Sequence, residues 1–255
     1  VALVLAHQHV HQLEPDVREF LLQTSILVEL TSTLCNAITQ RTDSATVLER
    51  LYHQNLFLVV NEATKEQPFA EPTYRYHALF IQFLQRQLRQ NHAHQIQALH
   101  RRAAEAHPEQ AQKIYYYLQA ELWPEAVENI VGVARIELDQ SFLRPGTLRW
   151  IESLPQSLRD TDPWLRLFNA AHLAQTGGLD QGFAQLQTSL EIFRQHGNVE
   201  GEFVCLNWML MTQTALVEEV EAFYAAHPYL IKPHHQAWLL LARCWRYLYL
   251  GEWNL

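Results

Sequence analysis

Histidine is the residue type in this sequence with the widest chemical scope, and the chain holds 14 of them in 255 residues. An imidazole can ligate a metal ion, and two imidazoles four residues apart share one face of a helix. His7 and His11 have that spacing, but no acid or cysteine accompanies them as a further ligand. The other close groups lack such companions too: His9 between the first two, His92 with His94, and His234 with His235. The sequence therefore predicts no metal site.

Nucleophilic and phosphate chemistry also lack their sequence signatures. No Gly-x-x-x-x-Gly-Lys-Ser/Thr segment occurs, so this sequence holds no phosphate-binding loop and cannot hydrolyse ATP by that route. Cys35, Cys205 and Cys244 lie far apart and form no ligand or redox motif, which suits a reducing cytoplasm. No nucleophile and base stand at a spacing that supports catalysis. We therefore expect this part of the protein not to be an enzyme.

One histidine lies at a structural junction. His77 belongs to the segment Tyr74–Phe80, between a short predicted strand and a long predicted helix. The helix is indicated by apolar residues that recur at intervals of three and four from Leu79 to Leu88. His77 is therefore the side chain whose role most needs an explanation.

Three short helices are predicted before this junction. The first begins at Pro15 and continues with apolar residues at helical spacing. Thr31 or Ser32 is expected to cap the second helix, and Asp43 or Ser44 the third, because short polar side chains satisfy the first free N–H groups of a helix.

A hairpin is predicted between the third helix and His77. Leu56–Val60 consists of five apolar residues rich in strand formers. Asn61–Thr73 is polar and holds two prolines, so it continues neither a strand nor a helix. Thr73–Tyr76 is then the return strand. Three helices followed by a two-stranded wing is the winged-helix arrangement.

Winged helices often bind DNA, but the charge of this one argues against it. Residues 14–75 hold nine acids and five bases, and the net charge of the chain is −8. A phosphate-binding surface needs clustered lysine and arginine. Residues 77–102 contain arginines and no acid, which we interpret as solvated helix faces beside the acidic first unit. We therefore expect no direct nucleic-acid binding.

The rest of the chain has the pattern of a helical repeat. A turn followed by a small residue occurs at Glu121–Ala126 and Gly177–Gly182, and the same turn begins at Gly251–Leu255, where the sequence stops before the small residue. Asp162 and Pro163 predict a capped helix start, and Gly182 with Ser189 would let helices approach closely. The interpretation is a tetratricopeptide-like array, which buries a shared core and leaves a concave face for ligands.

These patterns predict a mainly α protein: a winged helix with a small hairpin, then a tetratricopeptide-like α-α superhelix. The predicted domains are a winged helix over 1–91, preceded by the end of a linker helix, a helical connector over 92–160 and repeats over 161–255. The longest apolar runs have six residues, far fewer than the roughly 20 that span a bilayer, so we expect a cytoplasmic protein without membrane contact. The chain ends in mid-pattern, so we also expect a piece of a longer protein.

An ordered series of motifs resembles a known family. The motifs, within residues 13–195, are Val17–Leu27, Leu34–Ala37, Leu48–Leu51, Asn55–Leu58, Tyr74–Phe80, His100–Ala104, Trp123–Ala126 and Trp150–Pro155. They are similar to those of the MalT-like transcriptional regulators, which are signal-transduction ATPases with numerous domains. The resemblance implies a parent protein with an upstream nucleotide-binding module that uses ATP or ADP with Mg²⁺. It also implies that the repeats bind a small-molecule inducer or a protein, and it leaves oligomerisation on activation open.

The resemblance also implies a role for His77. In related switch ATPases, a histidine of the winged helix that precedes a leucine-rich helix contacts the phosphates of ADP and holds the closed state. The segment Tyr76–Leu79 resembles that motif, although Ala78 stands where immune and apoptotic relatives have an acid. Arg75 could assist, but strand alternation places it on the opposite face from its neighbours. The structural alternative is a histidine that caps its own helix or packs against the wing.

Two classes of function remain after these considerations. The first is a regulatory and sensor segment of a nucleotide-switched transcriptional activator, itself without cofactor. The second is a tetratricopeptide-like interaction scaffold that has no nucleotide switch. A phosphate-binding loop encoded upstream in the full reading frame would favour the first.

Overall fold

The computed structural model of the protein describes residues 13–54, 57–60, 71–140, 142–212 and 216–250. Within this part there are fourteen α-helices and one two-stranded sheet, which confirms the predicted mainly α class with a small hairpin. The chain forms two compact units, Val1–Asn129 and Ile130–Leu255. None of the described helices combines the length and the apolar character needed to cross a bilayer. His7, His9, His11, most of the predicted loop Asn61–Thr73 and the last repeat turn lie outside the described residues.

The first unit starts with the three predicted helices: α1 (Pro15–Thr24), α2 (Ser32–Thr39) and α3 (Ser44–His53). Helix α1 has proline in its first turn, where the missing N–H costs nothing. Helix α2 is capped by Thr31, whose hydroxyl accepts the N–H of Leu34 at 3.2 Å. The predicted position of this cap is thus correct.

The predicted cap of α3 needs a correction. Asp43 is at the N-cap position, but its side chain makes no capping hydrogen bond. Both of its carboxylate oxygens accept from Arg41 instead, each at 2.8 Å. The N–H of Ser44 donates to Oδ1 of Asn36 at 3.1 Å. A bidentate guanidinium partner is the stronger competitor for a carboxylate, so the amide of Asn36 takes over at the helix start.

The sheet pairs β1 (Leu58–Val60) with β2 (Tyr74–Tyr76) in antiparallel register, and Val59 is opposite Arg75. Leu30 extends this sheet through one isolated bridge. The N–H of Leu30 donates to the carbonyl oxygen of Tyr74 at 2.7 Å, and the N–H of Tyr74 donates to the carbonyl oxygen of Leu30 at 2.9 Å. Strand β2 is therefore paired on both edges. Helix α4 (Ala78–Asn91) begins one residue after the strand.

Four further elements follow in the first unit. They are a 3₁₀ turn at Ala93–Gln95, α5 (Ile96–Ala106), α6 (Gln110–Gln119) and α7 (Trp123–Asp139), which runs past the boundary between the units. Leu99, Ala103 and Tyr116 belong to the same hydrophobic cluster as the winged helix. The hydroxyl of Tyr116 also accepts the N–H of Val28 at 3.2 Å. Helices α5 and α6 thus complete the core of the winged helix, and the boundary at residue 91 stays a prediction.

The second unit is entirely helical in its described residues. Its elements are α8 (Pro145–Ser153), α9 (Gln156–Thr161), α10 (Pro163–Gln175), α11 (Leu179–Gln195), α12 (Val199–Thr212), α13 (Val217–Ala226), a 3₁₀ turn at Pro228–Leu230 and α14 (Pro233–Leu250). Three-residue connections join α10 to α11 and α11 to α12, which is the geometry of successive helical hairpins.

The hairpin of α10 and α11 is built as the sequence indicates. One carboxylate oxygen of Asp162 accepts the N–H groups of Trp164 and Leu165 at 2.9 and 3.0 Å, so it caps α10. Gly182 of α11 lies so close to α10 that a Cβ atom there would be 2.8 Å from the carbonyl oxygen of Ala170. The tetratricopeptide-like character of the whole array stays a prediction.

Candidate functional site

The junction of β2 and α4 fixes the backbone of His77 from two sides. Its N–H donates to the carbonyl oxygen of Phe57 at 2.8 Å, which extends the hairpin by one bond. Its own carbonyl oxygen accepts the N–H groups of Phe80 and Ile81 at 2.9 and 3.0 Å, so it opens the ladder of α4. The residue at the seam therefore belongs to the hairpin and to the helix.

The side chain of His77 is exposed and makes no capping hydrogen bond to α4. Capping by the imidazole was one of the two structural alternatives, and the geometry does not show it. The other was packing against the wing, of which residues 61–70 lie outside the described part. Within the described residues, the imidazole of His77 is therefore exposed, and an external group can reach it.

A cluster of aromatic rings packs beneath the junction, in which Tyr76 and Phe80 are buried and Phe57 is partly buried. The rings of Phe57 and Phe80 stack with centroids 4.5 Å apart and planes 19° apart. Tyr76 meets Phe80 edge-on at 5.7 Å and exchanges a 2.6 Å hydrogen bond with the hydroxyl of Thr24. Burial raises the pKa of Tyr76, so the phenol stays neutral. Such offset and edge contacts add to the burial energy, and they hold the strand end in one position.

Phe57 has a backbone φ of 59°, in the left-handed region that residues with a Cβ rarely adopt. That conformation carries the chain into β1 while its carbonyl faces the N–H of His77. Strained residues are retained where the surrounding contacts compensate, and here the stack on Phe80 supplies them.

Arg75 is placed on the exposed side of the hairpin. Tyr74 and Tyr76 are buried, whereas Arg75 between them is exposed, as strand alternation predicts. Continuing the alternation, His77 is exposed as well. Among the described residues, no carboxylate lies within 4 Å of the guanidinium of Arg75. The site therefore offers a guanidinium and an imidazole two residues apart, both unburied.

These two side chains are the donor set that a phosphate group requires. Guanidinium and imidazolium groups form charge-assisted hydrogen bonds to phosphate oxygens, which are about twice as strong as neutral ones. No acidic residue follows His77 directly, because Ala78 occupies that position. The residues present thus fit a phosphate group.

The third helix does not present the cations that a DNA groove requires. Its exposed Arg50 lies 4.0 Å from Glu14, and its exposed His53 lies 3.9 Å from Glu49. The charges of this face are therefore matched by acids within the described residues. This arrangement agrees with the expectation of no direct DNA contact, which stays a prediction.

A second group of titratable side chains lies in the second unit, at the end of α7 and the start of α14. Nε2 of His235 lies 3.2 Å and Nε2 of His234 lies 3.4 Å from one oxygen of Asp139. Nζ of Lys232 lies 2.5 Å from the other oxygen. Adjacent histidines were noted in the sequence, but Asp139 is about 95 residues away and no spacing rule connects them.

His234, His235 and Asp139 are close enough to ligate one metal ion, but the donor set does not fit. The backbone N–H of Lys232 donates to Nδ1 of His235 at 3.0 Å, so this nitrogen carries the lone pair. In the neutral ring the proton is then on Nε2 and faces Asp139, which leaves no lone pair for a metal. The ammonium of Lys232 already neutralises the carboxylate. We assign this cluster a structural role.

The electrostatics of the cluster agree with that role. Burial, with smaller contributions from His234 and Lys232, lowers the pKa of His235 to about 4, so the ring is neutral near pH 7. Partial burial is the largest single influence and acts to raise the pKa of Asp139, but the hydrogen bond and the charge of Lys232, with smaller electrostatic contributions from His235 and His234, together outweigh it and lower that pKa. The cluster joins the end of α7 to the start of α14 through the carboxylate of Asp139, the ammonium of Lys232 and the neutral ring of His235.

The first unit contains three helices and a hairpin that is bridged to Leu30, with Arg75 and His77 exposed at the end of the hairpin. This arrangement defines a winged-helix domain. Residues 6–96 match the family model described as MalT winged helix domain. The chain thus contains a winged helix of the MalT type, and the predicted resemblance is confirmed for this segment.

The chain is also similar to the serine/threonine-protein kinase PknK of Mycobacterium tuberculosis, strains CDC 1551 / Oshkosh and ATCC 25618 / H37Rv. The same protein of Mycobacterium bovis, strain ATCC BAA-935 / AF2122/97, matches equally. Each pair is 34% identical over 84 residues, which are 33% of this chain and 7% of the relative. The match thus spans a small part of these much longer proteins.

Proposed function

We propose that this chain is the regulatory and sensor segment of a nucleotide-switched signalling ATPase that acts as a transcriptional activator. In this proposal the winged helix stabilises the ADP-bound resting state. The helical array of the second unit receives an inducer or a partner. The upstream nucleotide-binding module of the same polypeptide supplies ATP or ADP and Mg²⁺.

The observation that carries the proposal is the exposed imidazole of His77 on a doubly anchored backbone. A group that senses a ligand must be accessible, and it must also be fixed to the element that responds. His77 meets both conditions, because its side chain is exposed and its carbonyl opens α4. The match of residues 6–96 to the MalT winged helix domain supports the same assignment.

His77→Ala in the full-length gene product tests the proposal. We expect ADP to dissociate about tenfold faster or more, because a charge-assisted hydrogen bond of roughly 1.5–3 kcal/mol is lost. The transcriptional activation without inducer should rise, since the resting state loses a contact. The dissociation rate is measured by chasing a fluorescent ADP analogue with unlabelled ADP.

His53→Ala is the matched control, since His53 is an exposed histidine of the same domain on α3. Its variant should release ADP at the rate of the unchanged protein. Equal ADP dissociation rates for the His77 variant and the unchanged protein would remove His77 from the switch. A full-length product that binds no nucleotide would favour the scaffold over the switch.

A further inference from the structure

The second unit contains a cavity of about 470 Å³ between α8, α9, α10 and α11. This volume lies within the range of roughly 300–1,000 Å³ that small-molecule sites occupy. Its apolar side includes Ile151 and Leu165, which are both buried. Polar side chains from all four helices make up most of the remaining lining.

Two arginines of the cavity lack the carboxylate partner that most other arginines of this unit have. Arg135, Arg144, Arg194, Arg243 and Arg246 each pair with a glutamate. Arg159 and Arg166 line the cavity, and among the described residues no carboxylate lies within 4 Å of either guanidinium. Arg159 donates to the amide oxygen of Gln156 at 2.6 Å, and Arg166 donates to the carbonyl oxygen of Asp160.

The two guanidinium groups therefore bring positive charge to the cavity, and among the described residues no carboxylate within 4 Å offsets it. A guanidinium forms strong charge-assisted hydrogen bonds to carboxylate and phosphate oxygens. An anion in the cavity would supply that partner.

The remaining lining limits what the anion can be. Glu152 and Asp160 also line the cavity, so the formal charge of its lining sums to zero when His172 is neutral. A polyanion would be repelled by these acids, whereas a small ligand with one anionic group would not. Asn169 donates to the amide oxygen of Gln185 at 2.8 Å, which orients both amides at the cavity. Amides in this position suit hydroxyl or carbonyl groups of the same ligand.

We propose that this cavity binds a small polar metabolite that carries one carboxylate or phosphate group. Arg159 and Arg166 hold the anionic group, and Asn169 with Gln185 contacts the neutral polar part. The assignment deepens the sensor role in the proposed function by naming the chemistry of the inducer. Nucleotide switching is measured on the full-length product, and ligand binding on this chain, so either can fail without the other.

The test uses the whole chain with inorganic phosphate, glycerate and neutral erythritol as probes in calorimetric titrations at constant ionic strength. We expect saturable binding of phosphate or glycerate, which has a single carboxylate, and none of erythritol. The anion that binds more tightly identifies the group recognised. Arg159→Gln and Arg166→Gln should each weaken that binding by at least about tenfold, as expected for one lost hydrogen bond to a charged group.

Arg149→Gln is the matched control. Arg149 is exposed on α8, does not line the cavity and has no carboxylate within 4 Å among the described residues. Its variant should bind the anion like the unchanged chain. Circular dichroism and melting curves verify that all three variants remain folded.

A second measurement needs no variant. The arginine Nε–H signals of the unchanged chain are recorded by nuclear magnetic resonance while the anion is added. Those of Arg159 and Arg166 should shift with one saturation curve, and those of the glutamate-paired arginines should not. The proposal is overturned if neither anion gives saturable binding, or if the two cavity variants bind as tightly as the unchanged chain.

Discussion

At the scale of single residues, a half-buried histidine, His100, and a buried one, His235, couple stability to pH. His100 of α5 has a buried Nδ1 without a partner among the described residues, and burial lowers its pKa to about 4. His235 of the second unit has its pKa lowered to about 4 as well, again mainly by burial. In the unfolded chain both rings return to a pKa near 6.5. Each unit therefore holds a ring that its folded state keeps neutral.

Acid should destabilise both units for this reason. As pH falls from about 6.5 to about 4, the unfolded chain takes up protons that the folded rings resist. The contribution of each neutral ring to the free energy of unfolding is fully present above pH 6.5. It decreases as the pH falls through this window, with a slope of up to about 1.4 kcal/mol per pH unit. His100→Gln should reduce this pH dependence, as measured by urea unfolding at several pH values.

His53→Gln serves as the control, because His53 is exposed on α3. Its unfolding free energy should follow the pH dependence of the unchanged chain. If His100→Gln and the unchanged chain lost stability in parallel down to pH 4, the low pKa of His100 would be wrong.

Single residues also show what the sequence could not predict. Alternation along Tyr74–Tyr76 was enough to predict that Arg75 is turned away from its buried neighbours. Asp43 stands at the predicted N-cap position of α3, but its side chain makes no capping hydrogen bond, because the guanidinium of Arg41 takes both carboxylate oxygens. The contact of Asp139 with His235 is a tertiary contact between the end of α7 and the start of α14, and sequence spacing carries no information about it.

At the scale of helices, Gly182 sets the distance between α10 and α11. A Cβ atom at this position would lie 2.8 Å from the carbonyl oxygen of Ala170 and 3.1 Å from the backbone nitrogen of Ala174. These are backbone atoms of the partner helix, so no side-chain rotation can relieve the clash. The prediction of a close approach at Gly182 came from the small residue after a turn, and the geometry confirms it.

Gly182→Ala should therefore destabilise the second unit by about 1–3 kcal/mol, the usual cost of overpacking. Gly132→Ala is the control, since a Cβ atom at this position in α7 would meet nothing within 4 Å. The control should be neutral or stabilising by up to about 1 kcal/mol, because alanine is the better helix former. Urea unfolding of the two variants should give changes of opposite sign, and equal changes would contradict the close approach.

Some elements were predictable because their signals are local. The caps at Thr31 and Asp162 are set by short polar side chains just before apolar runs. The bridge at Leu30 was missed, because one residue gives no periodicity to detect. Pairing with Tyr74 is a tertiary contact across 44 positions, and it converts the predicted two-stranded wing into a sheet with a third partner.

At the scale of the whole molecule, the chain has two units, and the first has a core that extends beyond the winged helix. Leu99, Ala103, Ala104 and Tyr116 pack with the apolar residues of α1 to α4. The family match, which ends at residue 96, and the predicted boundary at residue 91 both exclude these four. Composition and turn signals could predict where the winged helix gives way to further helices, but they could not predict which helices share a core.

Truncation should show the contribution of these residues. A chain of residues 1–140 retains the complete cluster and should unfold cooperatively, as followed by circular dichroism during heating. A chain of residues 1–91 lacks Leu99, Ala103, Ala104 and Tyr116, each at most 2% exposed, so it should melt at a clearly lower temperature or without cooperativity. Equal melting temperatures would instead support the boundary at residue 91.

The double anchoring of His77 has a mechanical consequence. Its amide closes the hairpin and its carbonyl begins the hydrogen-bond ladder of α4. A displacement of the His77 backbone would therefore disturb two elements at once, the end of the hairpin and the first turn of α4.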